Sequence, residues 1–167
     1  MRLRGSSLVQ LMDYRDLNHA QRAQLFDIQL HPEQQRYAGD VASTLHVLLS
    51  CTSDHRRALV LVLDEVPQAL LLVQRGAFLP AWAKVGAATM MALQVDKRVQ
   101  GRGLGRCCMN ALPAVVRAMW PDVDRLQLSV DRDNHPALGL YRATGWEDSG
   151  DGYRARSGYE LCMTLML

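Results

Sequence analysis

The sequence predicts an α/β fold with one mixed sheet, antiparallel in its first part and with at least one parallel crossover later. The apolar pattern has a helical period up to about residue 49 and then changes to short continuous runs, which are typical of strands buried on both faces. Two such runs, Ala58–Leu63 and Gln68–Gln74, are separated only by the turn Asp64–Pro67, which predicts an antiparallel hairpin. The last third alternates strand and helix, which requires a parallel crossover.

The N-terminal third predicts one strand and two helices. Ser7–Met12 is apolar enough for an opening strand, and Asp16 can cap a helix over Leu17–Leu30. The dipeptide His31-Pro32 interrupts that helix, because proline disfavours helical backbone in the residue before it. A second helix is predicted over Glu33–Leu49. Its buried face is expected to contain Tyr37, Val41, Leu45 and Leu48.

The elements after the hairpin lead through a glycine-rich turn. A strand over Ala87–Val95 precedes the turn, and a helix over Leu104–Met119 follows it directly. Pro113 lies inside this helix and is expected to kink it or to end its first half. The apolar face of the helix is expected at Leu104, Cys108, Leu112, Val115 and Met119. The last predicted elements are a strand over Arg125–Val130, a helix over Pro136–Arg142 and a strand over Tyr159–Leu165.

Composition and charge restrict the class of protein. With 167 residues, of which 49% are apolar and 22% charged, the chain is expected to be one soluble domain over residues 1–167. A net charge of +2 is too small to indicate nucleic acid or an anionic membrane as a partner. The basic segment Met1–Ser7 lacks the apolar region of a signal peptide, and no apolar run is long enough to cross a bilayer. A cytoplasmic protein is therefore expected.

The cysteines indicate neither a metal site nor a disulfide framework. Cys51, Cys107, Cys108 and Cys162 match no zinc-binding spacing. Adjacent cysteines within a predicted helix are poorly placed for an unstrained disulfide. We expect reduced and mostly buried thiols in a cytosolic protein, with no metal bound.

The segment Gln100–Gly105, with the sequence QGRGLG, has the chemistry of an anion site. Glycines allow a tight turn and a close approach of ligand to backbone. The first N–H groups of the following helix are unpaired, and together with the helix dipole they suit a pyrophosphate. Arg98, Arg102 and Arg106 are expected to add positive charge around this turn.

Three interpretations of this turn compete. A purely structural turn stays open on this segment alone. A P-loop is excluded because no GK[ST] closes the motif. A dinucleotide-binding turn requires G-x-G-x-x-G, whereas Gly101, Gly103 and Gly105 have the wrong last interval and lie too late in the chain.

A second segment indicates the protein family in which this turn occurs. Gln100, Gly103 and Gly105 match the pyrophosphate motif Q/R-x-x-G-x-G/A of the GCN5-related N-acetyltransferase (GNAT) superfamily. One strand later, Asn134–Trp146 matches the family's N-x-x-A-x-x-x-Y-x-x-x-G-F, with Trp146 in place of phenylalanine. The chain therefore resembles this superfamily, strongly over residues 87–146 and in the order of elements elsewhere. The resemblance implies a mostly antiparallel sheet flanked by helices, with splayed central parallel strands.

The resemblance also implies acetyl-CoA as the co-substrate and a role for each matching residue. The backbone of Leu93, Gln94 and Val95 is expected to bind the acetyl carbonyl and the pantetheine arm. Asn134 is expected to contact the cofactor near the pantetheine, and Tyr141 resembles the general acid that protonates the departing thiolate. The pyrophosphate is expected at Gln100, Gly101, Arg102, Gly103, Leu104, Gly105 and Arg106.

The expected general base is missing. Many family members have a glutamate on the strand before the pyrophosphate loop, but Thr89–Gln94 contains no carboxylate. Deprotonation of the amine can run through water and backbone carbonyls, or through Glu33, His31 or Asp40. Weak or lost activity is the remaining alternative.

The resemblance implies that the protein transfers an acetyl group from acetyl-CoA to a primary amine of a small molecule. The transfer is expected to be direct, within a ternary complex. The stretches Leu30–Gln35 and Ala42–Thr44 loosely resemble small bacterial polyamine acetyltransferases, and Glu33 is either an amine-binding residue or simply an acidic residue in a first helical turn. A non-catalytic acyl-CoA-binding or regulatory protein is the rival hypothesis. The apolar strand Leu161–Leu165 can support a homodimer, although a core strand is favoured.

Overall fold

The computed structural model describes residues 7–155 and 158–167. Its seven-stranded sheet has the order β1-β2-β3-β4-β5-β7-β6. The strands are β1 (Val9–Asp13), β2 (Arg56–Leu63), β3 (Val66–Arg75), β4 (Ala88–Val95), β5 (Arg125–Val130), β6 (Glu147–Ala155) and β7 (Gly158–Met166). Neighbouring strands are antiparallel, apart from the parallel pair β4 and β5. The predicted fold class, a mostly antiparallel sheet with a central parallel pair, is confirmed.

The predicted hairpin is β2 and β3, and its turn is shorter than expected. Asp64 and Glu65 form the turn alone, with φ angles of 47° and 69°. Two consecutive left-handed residues give the kind of tight turn that matches the twist of a hairpin. Pro67 belongs to β3 rather than to the turn, and it lies beside the register shift between Leu61 and Val62. A bulge tolerates proline because the ladder bond there is already disrupted.

The predicted helix over Leu17–Leu30 is wrong in both start and length. Helix α1 covers only His19–Gln24, and a 3-10 turn over Leu25–Asp27 follows it. Asn18, not Asp16, is the N-cap, and Gln21 completes a capping box by accepting a hydrogen bond from the Asn18 backbone. A reciprocal cap satisfies two helix-end donors at once, so it determines where the helix begins.

The predicted helix over Glu33–Leu49 is two helices. Helix α2 spans Pro32–Ala38 and helix α3 spans Val41–Leu49. Gly39 ends α2 with a φ angle of 70°, and the side chain of Asp40 caps α3 by accepting from the Ser43 N–H at 2.7 Å.

The apolar face predicted for the single helix Glu33–Leu49 is also divided, between α2 and α3. Val41 and Leu45 on α3 are buried as predicted, and Leu48 is half-buried. Tyr37 on α2 is exposed, with 37% of its surface accessible, which contradicts the prediction. The break at Gly39 changes the direction of the chain, so the apolar stripe does not continue from one helix to the other.

Helix α4 has the predicted bounds, Leu104–Met119, and continues through Pro113. The expected break at Pro113 is wrong, since buried residues on either side, Leu112 and Val116, hold both halves of the helix against the sheet. Val115 and Met119, also on the predicted face, are half-buried and pack against the main core. The buried positions of α4 are Leu104, Cys107, Cys108, Met109, Leu112 and Val116.

The sheet is covered on both faces. Helix α4 and helix α5 (His135–Ala143) cover one face and form the larger apolar cluster with alternate residues of β2 and β3, among them Leu59 and Leu71. Helix α3 and the segment around Leu25 cover the other face, where Val60 and Leu70 are buried. Two buried faces explain why β2 and β3 have continuous apolar sequences.

The C-terminal hairpin contains an element that the sequence did not predict. Strand β6 has the polar sequence EDSGDGYRA and lies at the edge of the sheet. Strand β7 lies between β5 and β6, where Leu161, Cys162 and Met163 are buried, so it is a core strand. Cys51 is exposed and the thiols of Cys107, Cys108 and Cys162 are buried, and none of the four forms a disulfide within the described residues. Within the described residues, no helix has the length and apolar character needed to cross a membrane.

Candidate active site

The parallel strands β4 and β5 diverge soon after they begin. They pair only at Ala88 with Leu126 and at Thr89 with Gln127. From residue 90 onward, the edge of β4 that faces β5 has no strand paired to it in the described part of the chain. A wedge-shaped gap therefore opens in the middle of the sheet, which confirms the splayed central strands.

A bulge in β4 borders this gap. Leu70 of β3 pairs with Gln94, whereas Leu72 pairs with Met91, so two β4 residues lie opposite one residue of β3. One of the two, Ala92, has a φ angle of 58°, a left-handed conformation that is uncommon for alanine. Bulges bend a strand and redirect its backbone groups, and here the bend lies where β4 faces the gap.

A cleft of about 1040 Å³ occupies the gap. Five of the predicted site residues line it, namely Leu93, Val95, Gln100, Asn134 and Tyr141. The structure thus brings together residues from β4, the glycine loop and α5 that are far apart in the sequence. The predicted residues from Gly101 to Arg106 follow Gln100 directly and lie outside the cleft lining, at the start of α4.

The glycine loop leaves the beginning of α4 open. Gly101 and Gly103 have φ angles of 77° and 81°, and a Cβ added at either position would meet nothing within 4 Å. Gly103 is the N-cap of α4 and supplies no side chain to the first helical N–H groups. Unpaired N–H groups at a helix N-terminus favour an anion, as the sequence predicts for Leu104 and its neighbours.

Glycine is needed at position 105 for a different reason than at positions 101 and 103. It is the second residue of α4, and a Cβ there would lie 3.2 Å from the Leu140 Cδ2 atom on α5. The absence of a side chain at Gly105 therefore lets α4 and α5 approach each other. The motif position serves helix packing at this point, whereas Gly101 and Gly103 shape the loop.

The side chain of Gln100 connects the loop to two other elements. Its Nε2 donates to the Val95 carbonyl oxygen at 2.9 Å and to the Gln34 Oε1 at 2.7 Å. The first contact joins the loop to the end of β4, and the second joins it to α2. Gln100 thus fixes the position of the loop at the edge of the cleft.

The three predicted arginines do not act alike. Arg102 and Arg106 are exposed around the loop. Arg98 instead forms an ion pair with Asp96, whose side chain is only 1% exposed, and donates to the Asp27 carbonyl oxygen at 2.9 Å. Its guanidinium also lowers the pKa of Asp96 through hydrogen bonds and charge. The expectation that Arg98 adds charge at the glycine turn is therefore wrong.

Tyr141 lies on α5 where the cleft meets the main core. Its side chain is 7% exposed, and its ring packs against Trp146 with centroids 6.0 Å apart. Burial raises the pKa of Tyr141 well above its usual value, and the neighbouring Cys108 thiol raises it further. The hydroxyl is therefore protonated over the physiological pH range, as a general acid must be.

Asn134 and Gln94 have structural contacts that bear on their predicted roles. Asn134 caps α5, since its Oδ1 accepts from the Ala137 N–H at 3.4 Å, and it also lines the cleft. The side chain of Gln94 is buried and donates to the Ala38 carbonyl oxygen at 2.8 Å and the Thr44 hydroxyl at 2.9 Å. Only the backbone of Gln94 is thus in a position to bind a ligand in the gap.

The cleft also contains polar groups that sequence reasoning missed. Ser129 of β5, Asp131 and Asp133 after it, and Glu160 of β7 all line the cleft. The Oε2 of Glu160 accepts a hydrogen bond from the Ser129 hydroxyl. A signal was present, because Glu160 is the one charged residue in the predicted strand Tyr159–Leu165.

The three side chains considered as general bases are placed differently. His31, the N-cap of α2, and Glu33 within α2 both line the cleft. Asp40 caps α3 and is absent from the lining. Among the described residues, no group of three or more His, Cys, Asp or Glu side chains is arranged to hold a metal ion.

Comparison with known proteins decides the family. The model of the acetyltransferase (GNAT) family matches residues 14–146. The chain belongs to this family. The predicted family and enzyme class, an acyltransferase, are confirmed. No curated protein has significant similarity to the chain.

Solved structures of other acetyltransferases share the GNAT fold. The structure of AAC(6')-Ib with paromomycin and acetyl-CoA has a TM-score of 0.69 at 18% identity, covering 96% of this chain and 93% of that one. The GNAT domain of S. lividans PAT has a TM-score of 0.69 at 20% identity, covering 98% and 92%. An acetyltransferase from Thermus thermophilus has a TM-score of 0.66 at 24% identity, covering 95% and 97%. These likenesses establish the fold of the whole chain.

Proposed function

We propose that this protein transfers the acetyl group of acetyl-CoA directly to a primary amine of a small cationic molecule, within a ternary complex. The observation that carries the proposal is the cleft in the splayed sheet, which begins beside the glycine loop at Gln100 and has Tyr141 on its wall. The matched structure of AAC(6')-Ib contains acetyl-CoA, which supports the same donor here.

The donor half consists of residues 92, 93 and 95 at the β4 bulge and Gln100, which line the cleft, together with loop residues 101–105, which adjoin Gln100 outside the lining. The open start of α4 suits the pyrophosphate, because free N–H groups and the helix dipole both favour negative charge. Gly101 and Gly103 leave room for a phosphate to approach the backbone. The unpaired edge of β4 offers backbone donors and acceptors to an extended pantetheine arm.

The chemistry requires a donor for an oxyanion and a proton for a thiolate. When the amine nitrogen attacks the thioester carbonyl, a backbone N–H of β4 at the bulge can stabilise the tetrahedral oxyanion. The Tyr141 hydroxyl, protonated because burial raises its pKa, then donates its proton to the departing sulfur. The bulge and Tyr141 both border the cleft, as such a reaction demands.

We assign to the acceptor half of the cleft the N-cap residue His31, the lining residues of α2 between Glu33 and Ala38, and the four polar residues at positions 129, 131, 133 and 160. Its carboxylates, on Glu33, Asp131, Asp133 and Glu160, outnumber the single arginine, Arg36. An excess of negative charge favours a substrate with several ammonium groups. A polyamine such as spermidine fits that description, and aminoglycosides share the same chemistry.

A release assay tests the proposal. Coenzyme A thiol is measured after mixing the protein and acetyl-CoA with spermidine, kanamycin, lysine or a peptide N-terminus. We expect release with at least one of the two polyamines, spermidine and kanamycin, and little with lysine or the peptide N-terminus. Thermal shift with coenzyme A gives the second readout, since a ligand that binds the folded state raises the melting temperature.

Each outcome has a distinct meaning. Stabilisation by coenzyme A without thiol release from any amine would favour a non-catalytic acyl-CoA-binding protein. Release of coenzyme A thiol from propionyl-CoA but not from acetyl-CoA would show that the transferred group is propionyl rather than acetyl. No stabilisation by any acyl-CoA would contradict the proposal as a whole.

We also propose a single cytoplasmic domain over residues 1–167. One sheet includes strands from Val9 to Met166, and three buried cysteines that form no disulfide are typical of a reducing compartment. A homodimer formed by edge pairing of β7 is not supported, because β7 has strands on both sides. Sedimentation or light scattering would measure the oligomeric state.

A further inference from the structure

One carboxylate in the acceptor half of the cleft belongs to a strand on which the family pattern does not predict one. Strand β4 carries no acidic residue between Thr89 and Gln94. Glu160, the third residue of β7, lines the same cleft as Tyr141 and is half-buried. The cleft therefore contains a candidate proton acceptor, although it comes from another strand than the one where the family pattern predicts it.

Strand pairing determines where Glu160 points. Ser129 of β5 lies opposite Cys162 of β7 in the antiparallel ladder. Since side chains alternate along a strand, Glu160, two residues before Cys162, is on the same face of the sheet as Ser129. The hydrogen bond from the Ser129 hydroxyl to the Glu160 Oε2 follows from this register. Strand β5 is one side of the splayed gap, so the carboxylate borders the place where the amine and the thioester would meet.

Glu160 differs from the other ionisable groups of the cleft. Those groups are His31, Glu33, Arg36, Tyr37, Asp131, Asp133 and Tyr141. His31, the N-cap of α2, is exposed, as are Glu33, Arg36 and Tyr37 within that helix. Asp131 and Asp133 follow the end of β5, outside regular structure. Glu160 is the one carboxylate of the lining that lies within a strand, and the Ser129 hydroxyl fixes its orientation.

We propose that Glu160 is the general base of the acetyl transfer, an inference that rests on the function proposed above. The Glu160 carboxylate takes a proton from the substrate ammonium, directly or through one water, and leaves a neutral amine. The nitrogen then bonds to the acetyl carbon and the C–S bond breaks. Tyr141 protonates the thiolate and regains a proton from the nitrogen of the new amide, while Glu160 returns its proton to solvent.

The variant Glu160→Gln tests this role, because it removes the base and keeps an acceptor for Ser129. With spermidine or kanamycin, whichever the wild-type protein acetylates, we expect kcat to fall by roughly 100-fold or more. Affinity for acetyl-CoA is expected to stay within about twofold, since Glu160 lies in the acceptor half. Glu147→Gln on β6 is the matched control, because Glu147 is exposed and outside the cleft.

The pH dependence separates a base from a mere binding charge. In the wild type the protein itself removes the ammonium proton, so we expect its rate to depend on pH less steeply than the rate of the Gln variant, which rises with pH as the fraction of neutral amine grows. Glu160→Asp, which keeps the carboxylate, is expected to recover part of kcat.

The outcomes distinguish this inference from the function on which it rests. If the wild-type protein releases no thiol with any amine, the proposed function fails and the inference fails with it. If the wild type is active and the folded Gln variant keeps kcat within about threefold, the inference alone is overturned. A rise in KM with unchanged kcat would also overturn it, because that pattern describes a residue that only binds the cation.

Discussion

The donor half and the acceptor half of the cleft are built from different parts of the chain. In the donor half the main chain contributes most of the binding groups, through the unpaired edge of β4, the bulge at Ala92 and the open start of α4. In the acceptor half, side chains such as Glu33 and Glu160 do so, and they come from helices and strands on both sides of the gap. A site made of backbone depends on conformation, whereas a site made of side chains depends on charge. Substitutions should therefore have different effects in the two halves, on coenzyme A binding or on catalysis.

Tyr141 gives the strongest test, because it is the side chain proposed to act chemically in the donor half. We expect Tyr141→Phe to lower kcat by about 100-fold while acetyl-CoA affinity stays nearly constant, since only the proton of the hydroxyl is removed. Steady-state thiol release and calorimetric titration measure the two quantities. In the wild type, the raised pKa of Tyr141 should prevent any loss of its acid form below about pH 10. Unchanged turnover in the variant would remove Tyr141 from the mechanism.

Gly103 tests whether binding in the donor half depends on backbone conformation. Its φ angle of 81° is strained for alanine by about 1–2 kcal/mol, so Gly103→Ala should distort the loop and weaken coenzyme A binding by roughly tenfold. The matched control is Gly139→Ala in α5, which has open space and an ordinary helical backbone. That control should bind normally and gain a little stability. Equal affinities in the two variants would show that the loop conformation is irrelevant to binding.

Gly105 should behave differently from Gly103. A methyl group at Gly105 meets Leu140 across the helix contact, so Gly105→Ala is expected to cost about 1 kcal/mol of unfolding free energy and to change coenzyme A affinity only slightly. In a Leu140→Ala background the same substitution should no longer destabilise the protein, because the contact is gone. Denaturant unfolding of the wild type, the two single variants and the double variant measures the coupling. Without coupling, the packing explanation of Gly105 is wrong.

Arg98 should show the smallest effect on binding. Its guanidinium pairs with Asp96, so Arg98→Ala should leave coenzyme A affinity unchanged, whereas Arg102→Ala weakens it. The loss appears in stability instead, because a buried carboxylate loses its partner. The pKa of Asp96 is lowered in the folded state, so this contribution is present above the unfolded pKa of about 3.9 and is lost as the pH falls further. Melting curves at pH 7 and pH 3 check this sign.

The donor half could be predicted from the sequence because its signals are local. Gly103 followed by an apolar stripe determines α4 to the residue, and Asn134 and Tyr141 lie within one short helix and its cap. The helices of the acceptor half were predicted less well. The sequence Gly39-Asp40 contains both a helix end and a new cap, yet the apolar period across it predicted one helix.

Glu160 could not be placed from the sequence for a different reason. Its contact with Ser129 spans 31 residues and depends on the register of β7 against β5. No local pattern contains that register. The polar edge strand β6 was missed as well, because its sequence has neither the alternation nor the apolar run of a strand.

The gap between β4 and β5 gives the protein an edge strand in its interior. From Met90 onward, β4 presents unpaired backbone along one side, a pattern that in an outer strand invites pairing with a foreign chain. Here the unpaired edge lies within the sheet, in a cleft that α2 and α5 border. An extended pantetheine arm can use the backbone groups of this edge, whereas flanking helices hinder pairing with a β-strand of another protein and so limit the aggregation that an exposed edge invites.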